Sequence, residues 1–182
     1  MIKKGFLRLY KVPILLSLTF FVVLLALKVE RDVIDIALML AGSLAGTFLL
    51  DLDYIIHAYF VEPEKPSSAL VRDYVKHKDV QGLLVFGQVH KFDFEDRTLN
   101  SALFQLILGG AAIFVMTSTI TVFLKVLIAS AFLNSIYRFI EEYIQGHVEK
   151  WFWSFKMEMK PLNIYLYLLI LAAGVVYDIY IF

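Results

Sequence analysis

The sequence predicts an all-α protein, a polytopic membrane helix bundle with about five transmembrane helices. Of its 182 residues, 60% are hydrophobic, and the mean hydropathy is +0.73, whereas soluble domains are about half apolar. The excess lies in blocks close to the roughly 20 residues that a helix needs to cross a bilayer. The chain has no cysteine, which excludes disulfides and thiolate metal sites.

The first apolar segment, Val12 to Leu27, follows the basic stretch "MIKKGFLRLYKVP". Pro13 falls in its first turn, where a helix tolerates proline. A cleaved secretory signal is the alternative, but the following "KVERD" contains no small-residue cleavage site. We therefore expect an uncleaved first transmembrane helix.

Four further spans are predicted along the chain. The second runs from Val33 to about Phe60 and is more polar in its last third. The stretch Asn100 to Ile140 is about twice a single span, and the cluster "TSTIT" at 117–121 divides it into the third and fourth. The fifth is Pro161 to Tyr177. A four-span layout with one long re-entrant third element is the alternative.

Two cytoplasmic loops complete this single integral membrane domain, 1–182. Loop 62–98 contains "SALVRDYVKH", which predicts a short interfacial helix, and "GLLVFGQVHKFDF", whose partial alternation predicts a short strand or hairpin. Loop 62–98 is thus expected to have mixed structure. Loop 141–160 carries Trp151 and Trp153 among lysines, a composition typical of an amphipathic segment at the membrane surface.

The distribution of basic residues predicts the orientation. With a cytoplasmic N-terminus, the inside segments of this layout hold 14 of the 17 Lys and Arg residues, as the positive-inside rule requires. We expect an integral membrane protein with a cytoplasmic N-terminus, whose main partner is the lipid bilayer. Gly42 and Gly46 form a G-x-x-x-G pattern, which favours helix packing within the chain or, alternatively, a homo-oligomer or membrane partner. The balanced charge gives no reason to expect nucleic acid.

Three polar clusters are predicted to converge at the inner ends of the second, third and fourth helices. Ionisable groups in a span usually face the bundle interior and are functional candidates. The clusters are Asp51, Asp53 and His57; Asn100 and Ser101; and Asn134, Ser135, Arg138, Glu141 and Glu142.

The two aspartates suggest a metal site, provided that the helix is interrupted between them. Asp53 and His57 are four residues apart and share a helix face, and carboxylates with imidazole suit Mg, Mn or Zn. Asp51 and Asp53, however, point about 200° apart on a regular helix, so one ion can bind both only if the helix breaks there. The alternative is that both cap a helix end in the headgroup region. Independently, we expect Arg138 to form ion pairs with the glutamates three and four residues after it.

Three strings resemble markers of a family of inner-membrane metal-dependent hydrolases that includes a LexA-binding membrane hydrolase. "GTFLLDLDY" is similar to G-x-x-L-P-D-L/I-D-H, "EDRTLNSALF" to H-R-G-x-T-H-S, and "AFLNSIYRF" to G-Y-x-S-H-x-x-x-D. The resemblance covers roughly residues 41–140 and implies a small helical bundle with a divalent metal, located in a prokaryotic cytoplasmic (inner) membrane.

The resemblance implies specific roles. Asp51, Asp53 and Asn100 would be catalytic, and Asp51, Asp53, Glu95 and Asn100 would be metal ligands. His57, which shares a helix face with Asp53, is the further metal ligand that the spacing predicts. Several family histidines are replaced, by Tyr54, Glu95, Asn100 and Ser135, so either the ligand set has changed or the chemistry is lost. We therefore expect a hydrolase-like membrane protein with a lost or altered site, or a non-enzymatic scaffold or partner-binding subunit. Transport is a weaker third hypothesis, because no inverted repeat is visible.

Overall fold

The computed structural model describes residues 2–28, 32–94, 96–155 and 160–182, and their regular structure is entirely helical. The predicted all-α class is therefore confirmed. The elements are α1 (Ile2–Lys28), α2 (Val33–Leu49), α3 (Leu52–Ile56) with a π-helical turn (His57–Val61), α4 (Pro66–Lys76), α5 (Val80–Val89), α6 (Ala102–Thr117), α7 (Val122–Ile144), α8 (Val148–Trp151) and α9 (Pro161–Ile181).

Three of the described helices are long and apolar enough to cross a membrane: α1 over Gly5–Leu27, α7 and α9. A fourth span is available if α2 and the segment Leu52–Val61 form one crossing, which is bent by 42°. Because α6 has only 16 residues, it is shorter than the roughly 20 that a single crossing needs. The structure thus supports an integral membrane protein with three or four spans, and the predicted five are not confirmed.

The predicted division of the long apolar stretch is confirmed, since α6 ends at Thr117 and α7 begins at Val122. The Ser118 side chain stabilises the break. Its hydroxyl donates to the carbonyl of Val115 at 2.7 Å and accepts from the amide of Ile120 at 3.4 Å. These bonds satisfy backbone groups that the interrupted helix would leave without partners.

Close packing of α2 on α7 is the central contact of the bundle, and the glycine pattern makes it possible. A methyl group at Gly42 would lie 2.5 Å from the carbonyl oxygen of Phe123, and one at Gly46 would lie 2.5 Å from that of Leu127. Only glycine allows the backbones to approach this closely. The pattern therefore joins two helices of the same chain, as its helix-packing interpretation predicts.

The predicted strand or hairpin in loop 62–98 is wrong, because "VQGLLVFGQV" forms α5 and the described part of this loop contains no strand. Asp79 caps the helix, accepting from the amide of Gly82 at 2.8 Å. The helix buries Leu83 in a small apolar core with Tyr54 and Val71. Burial against a tertiary neighbour thus outweighs the local strand propensity of Val and Phe.

The second loop also differs from expectation. Helix α7 continues to Ile144, and Trp151 is fully buried rather than lying at the membrane surface. Its ring packs on Phe139 with a centroid distance of 5.6 Å. Trp153 is partly exposed and donates to the carbonyl of Arg97 at 3.1 Å.

Candidate functional site

The chain breaks its helix at the two aspartates, between the end of α2 at Leu49 and the start of α3 at Leu52. The amide of Asp53 bonds to the carbonyl of Leu50 at 3.3 Å, three residues back rather than four. This tighter turn accompanies the 42° bend. Both carboxylates are buried, with Asp51 3% and Asp53 0% exposed. The helix break that would allow both carboxylates to face one site is therefore present.

Asp53 is saturated with hydrogen bonds from the segment that leads into α6. Its Oδ1 accepts from the amide of Leu99 at 2.9 Å. Its Oδ2 accepts from the amide of Asn100 at 3.1 Å and from the Asn100 side-chain Nδ2 at 2.8 Å. Asn100 Nδ2 also donates to the carbonyl of Leu50 at 3.2 Å. The carboxylate thus fastens the start of α6 to the bend after α2.

Asp51 is paired with an arginine from the opposite side of the bundle. Arg138 of α7 donates to Asp51 Oδ1 at 3.0 Å, and Gln88 of α5 donates to the same oxygen at 3.1 Å. The Tyr10 hydroxyl also contacts this carboxylate. Arg138 further donates to Asn100 Oδ1 at 3.3 Å, so its guanidinium lies between the two aspartate-centred networks.

The expected pairing of Arg138 with Glu141 and Glu142 is wrong. Glu142 accepts from Arg97 at 2.5 Å, and Glu141 pairs with Lys91 at 2.8 Å. The glutamates therefore hold residues of the α5–α6 connection against α7. Arg138 is left to neutralise Asp51.

The other predicted ligands are placed differently. His57 is buried four residues after Asp53, but its Nε2 lies 3.0 Å from Glu62, and its ring meets the edge of Phe94. Glu95 lies outside the residues that the structure describes. Within the described ranges no group of three His, Cys, Asp or Glu side chains is arranged to hold a metal.

The three predicted catalytic residues are thus brought together, but the cluster does not fit a divalent cation as it stands. Asp53, Asn100 and Asp51 Oδ1 bond to amide, guanidinium, carboxamide and carbonyl groups of the protein, and within the described residues Asp51 Oδ2 has no hydrogen bond. A fixed guanidinium between them repels a second cation. We therefore derive no reaction step through a metal at this cluster.

The third family-like string places two of its residues, Ser135 and Phe139, in a separate cluster. Ser135 accepts from Gln105 at 3.1 Å, and Gln105 Oε1 accepts from Trp151 at 3.0 Å and from the Tyr167 hydroxyl at 2.6 Å. Phe139 packs among the surrounding aromatic rings. These contacts join α6, α7 and α9 and lie apart from the Asp51 network.

A hydroxyl cluster lies deeper in the bundle and joins α1, α2 and α7, and the sequence analysis named only Asn134 among its residues. Ser17 bonds to Thr47 at 2.7 Å and to Ser130 at 3.2 Å. Asn134 donates to Ser17 at 2.8 Å, and Ser43 donates to the backbone of Ser17 at 2.6 Å. The four-residue spacings of Ser43 with Thr47 and of Ser130 with Asn134 are the signal that indicates this cluster.

A small cavity borders the Arg138 network on the side of α5. Its volume is about 10 Å³, which is room for about one water molecule. The Tyr54 hydroxyl and Glu142 Oε2 line it, and both are buried without a hydrogen-bond partner in the described part of the protein. The cavity has the size and polarity for a bridging water and is too small for a substrate.

Comparison of the chain with protein-family models, with curated proteins and with solved structures returns no match. The resemblance to membrane metal-dependent hydrolases therefore stays a prediction.

Proposed function

We propose that this protein is a non-enzymatic membrane scaffold or partner-binding subunit. Its polar centre, the cluster of Asp51, Asp53, Asn100 and Arg138, resembles a hydrolase site but serves as a structural ion-pair network. The observation that carries the proposal is the Arg138 guanidinium, which donates to both Asp51 and Asn100. In this position a fixed protein charge supplies the neutralisation that a metal ion supplies to paired carboxylates.

The energetics favour a structural role for this network. Asp51 is 3% and Arg138 8% exposed, and a buried pair is retained only where good geometry and further hydrogen bonds offset desolvation. Gln88 and Asn100 supply those further bonds. A divalent ion would have to displace the guanidinium and leave it buried without its carboxylate, which is costly.

The network would also give a scaffold a surface of fixed orientation. Through Gln88, Lys91 and Arg97, three side chains on or after α5 are held to Asp51 and to the glutamates of α7. Helix α5 and its connection to α6 are therefore held in one orientation relative to α2 and α7. A fixed surface of this kind suits recognition of a membrane partner without a conformational change on binding.

Metal analysis of the purified chain tests the proposal. Wild type and an Asp51→Asn/Asp53→Asn variant are incubated with Mg²⁺, Mn²⁺ and Zn²⁺, desalted and assayed for bound metal. We expect no stoichiometric metal in either protein and no effect of a chelator on wild-type thermal stability. One metal per wild-type chain that is lost in the variant would contradict the proposal.

Partner binding needs a separate measurement. Chemical cross-linking in native membranes, followed by purification and mass analysis, is expected to recover a specific partner or a second copy of the chain. Asp73→Asn, at an exposed carboxylate beside His77, is a control for nonspecific effects of charge. A strictly monomeric protein without a co-purifying partner would count against the scaffold role.

A metal-dependent hydrolase is the second candidate, and one observation favours it. The bend after α2 brings Asp51, Asp53 and Asn100 into one connected cluster, as the family resemblance implies. Activity would require Arg138 to move away from Asp51. Arg138→Gln therefore separates the candidates, because stoichiometric metal and a gain of phosphatase or esterase activity in this variant would favour the hydrolase.

A further inference from the structure

The segment after the helix break, Leu52–Val61, has its polar side chains inside and its apolar side chains outside; we call it the bent segment. Asp53 and His57 are both 0% exposed. Phe60, in contrast, is 80% and Tyr59 44% exposed. A surface helix beside water has the opposite arrangement, with its polar residues on the exposed face. The exposed face of the bent segment therefore suits an apolar medium.

This face continues an apolar series that begins on α2. The series starts at Ile34 and runs through positions 38, 41, 45, 48, 52 and 56 to Tyr59. Every member is apolar or aromatic, and none is buried. Spacings of three and four residues keep side chains on one side of a helix, and α2 passes as a membrane span only together with the bent segment. The series is therefore the side that this bent span turns to lipid.

The length of α2 places the bend near the edge of the hydrocarbon. The helix has 17 residues, which extend about 25 Å at about 1.5 Å per residue. The hydrocarbon core of a bilayer is about 30 Å thick. The bent segment then leaves the direction of α2 by 42° and carries Tyr59 near its end, and tyrosine is enriched at the level of the headgroups. The bent segment thus extends from the hydrocarbon edge into the headgroup region.

The neighbouring short helices cover a different side of the bent segment. Tyr54 and Ala58 share a small apolar core with Val71 of α4, and Arg72 donates to the carbonyl of Ala58 at 2.9 Å. Directly after the bent segment the chain becomes polar, and Glu64 is exposed. The exposed apolar face therefore ends where the chain returns to water, and its medium up to that point is lipid.

We propose that the exposed face of the bent segment binds the acyl chains of the nearer membrane leaflet, with the segment lying obliquely between hydrocarbon and headgroups. The bilayer then holds the bend from outside, while Asp53 holds it from inside through its bonds to Leu99 and Asn100. This lipid contact fixes the polar centre at the edge of the membrane. It depends neither on the scaffold role nor on hydrolysis.

Spin labelling of the full chain in phosphatidylcholine vesicles tests this contact. Because the chain has no cysteine, a nitroxide on one introduced cysteine reports a single position. Labels on Leu52→Cys and Phe60→Cys are compared by power-saturation EPR for collisions with molecular oxygen, which concentrates in lipid, and with a water-soluble nickel chelate. We expect oxygen collisions to exceed nickel collisions at both positions, with the larger excess at Leu52, which lies closer to α2.

Two further labelled positions calibrate the measurement. Ile170→Cys, at a residue that is 60% exposed on the candidate span α9, gives the value for lipid. Glu64→Cys, at an exposed residue three positions after the bent segment, is the matched control and gives the value for water. The oxygen-to-nickel ratio at Phe60 should be several-fold above that at Glu64. Circular dichroism verifies that each variant is folded.

Two results would overturn the proposal. Nickel collisions at Leu52 and Phe60 as frequent as those at Glu64 would show that the face lies in water. Labels at Leu52 and Phe60 that are immobilised and protected from both oxygen and nickel would show that a second copy of the chain or another protein covers the face instead of lipid.

Discussion

Neutralising Asp51 is expected to destabilise the bundle strongly. Asp51→Asn keeps the shape of the side chain but removes the charge that faces Arg138 at 3.0 Å. Both groups are more than nine-tenths buried, so the guanidinium would remain in the interior with only neutral partners. Removal of one member of a buried pair costs about 3–5 kcal/mol, and we expect a loss in that range.

A double-mutant cycle separates the pair from its surroundings. Arg138→Gln is expected to cost a similar amount, because it leaves the Asp51 carboxylate buried. The combined Asp51→Asn/Arg138→Gln variant leaves no buried charge in this pair, so its cost should be smaller than the sum of the single costs by about 1–3 kcal/mol.

Reversible unfolding in mixed detergent micelles measures these free energies, with the fluorescence of buried Trp151 as the signal. Asp73→Asn, an exposed carboxylate outside the network, is the control and should leave stability unchanged. Additive single costs, or an Asp51→Asn protein as stable as wild type, would refute the claim that the ion pair holds the bundle together.

Two further changes test the packing and the bend. Gly46→Ala should destabilise the protein by about 1–3 kcal/mol, because the methyl group would lie 2.5 Å from the Leu127 carbonyl oxygen. Gly110→Ala is the control in the same unfolding titration, since a methyl group there would meet no neighbouring element within 4 Å. This second change should be neutral or stabilising. Asn100→Ala removes the side-chain bond to Asp53 and should cost about 1–3 kcal/mol, seen also as faster amide hydrogen exchange at the start of α6; unchanged exchange there would contradict this role.

The polar centre was partly predictable. The apolar blocks and the side on which each helix ends predict that Asp51, Asp53, Asn100 and Arg138 meet at one end of the bundle, and the structure brings them together. Their pairing was not predictable, because Arg138 is 87 residues from Asp51 and only three and four residues from two glutamates that are equally plausible partners. The close approach of α7 to α2, which the two glycines allow, brings the arginine to Asp51.

The sequence alone determined three features, each of which depends on local properties of the chain. Hydropathy determined the helical membrane character, the hydroxyl and β-branched residues at 117–121 determined the break between α6 and α7, and the spacing of small residues determined the packing role of the glycine pattern. Only the tertiary structure decided that α5 is a helix, that Trp151 is buried and that His57 turns to Glu62. These depend on contacts between distant segments, whose burial and hydrogen bonding outweigh local preference.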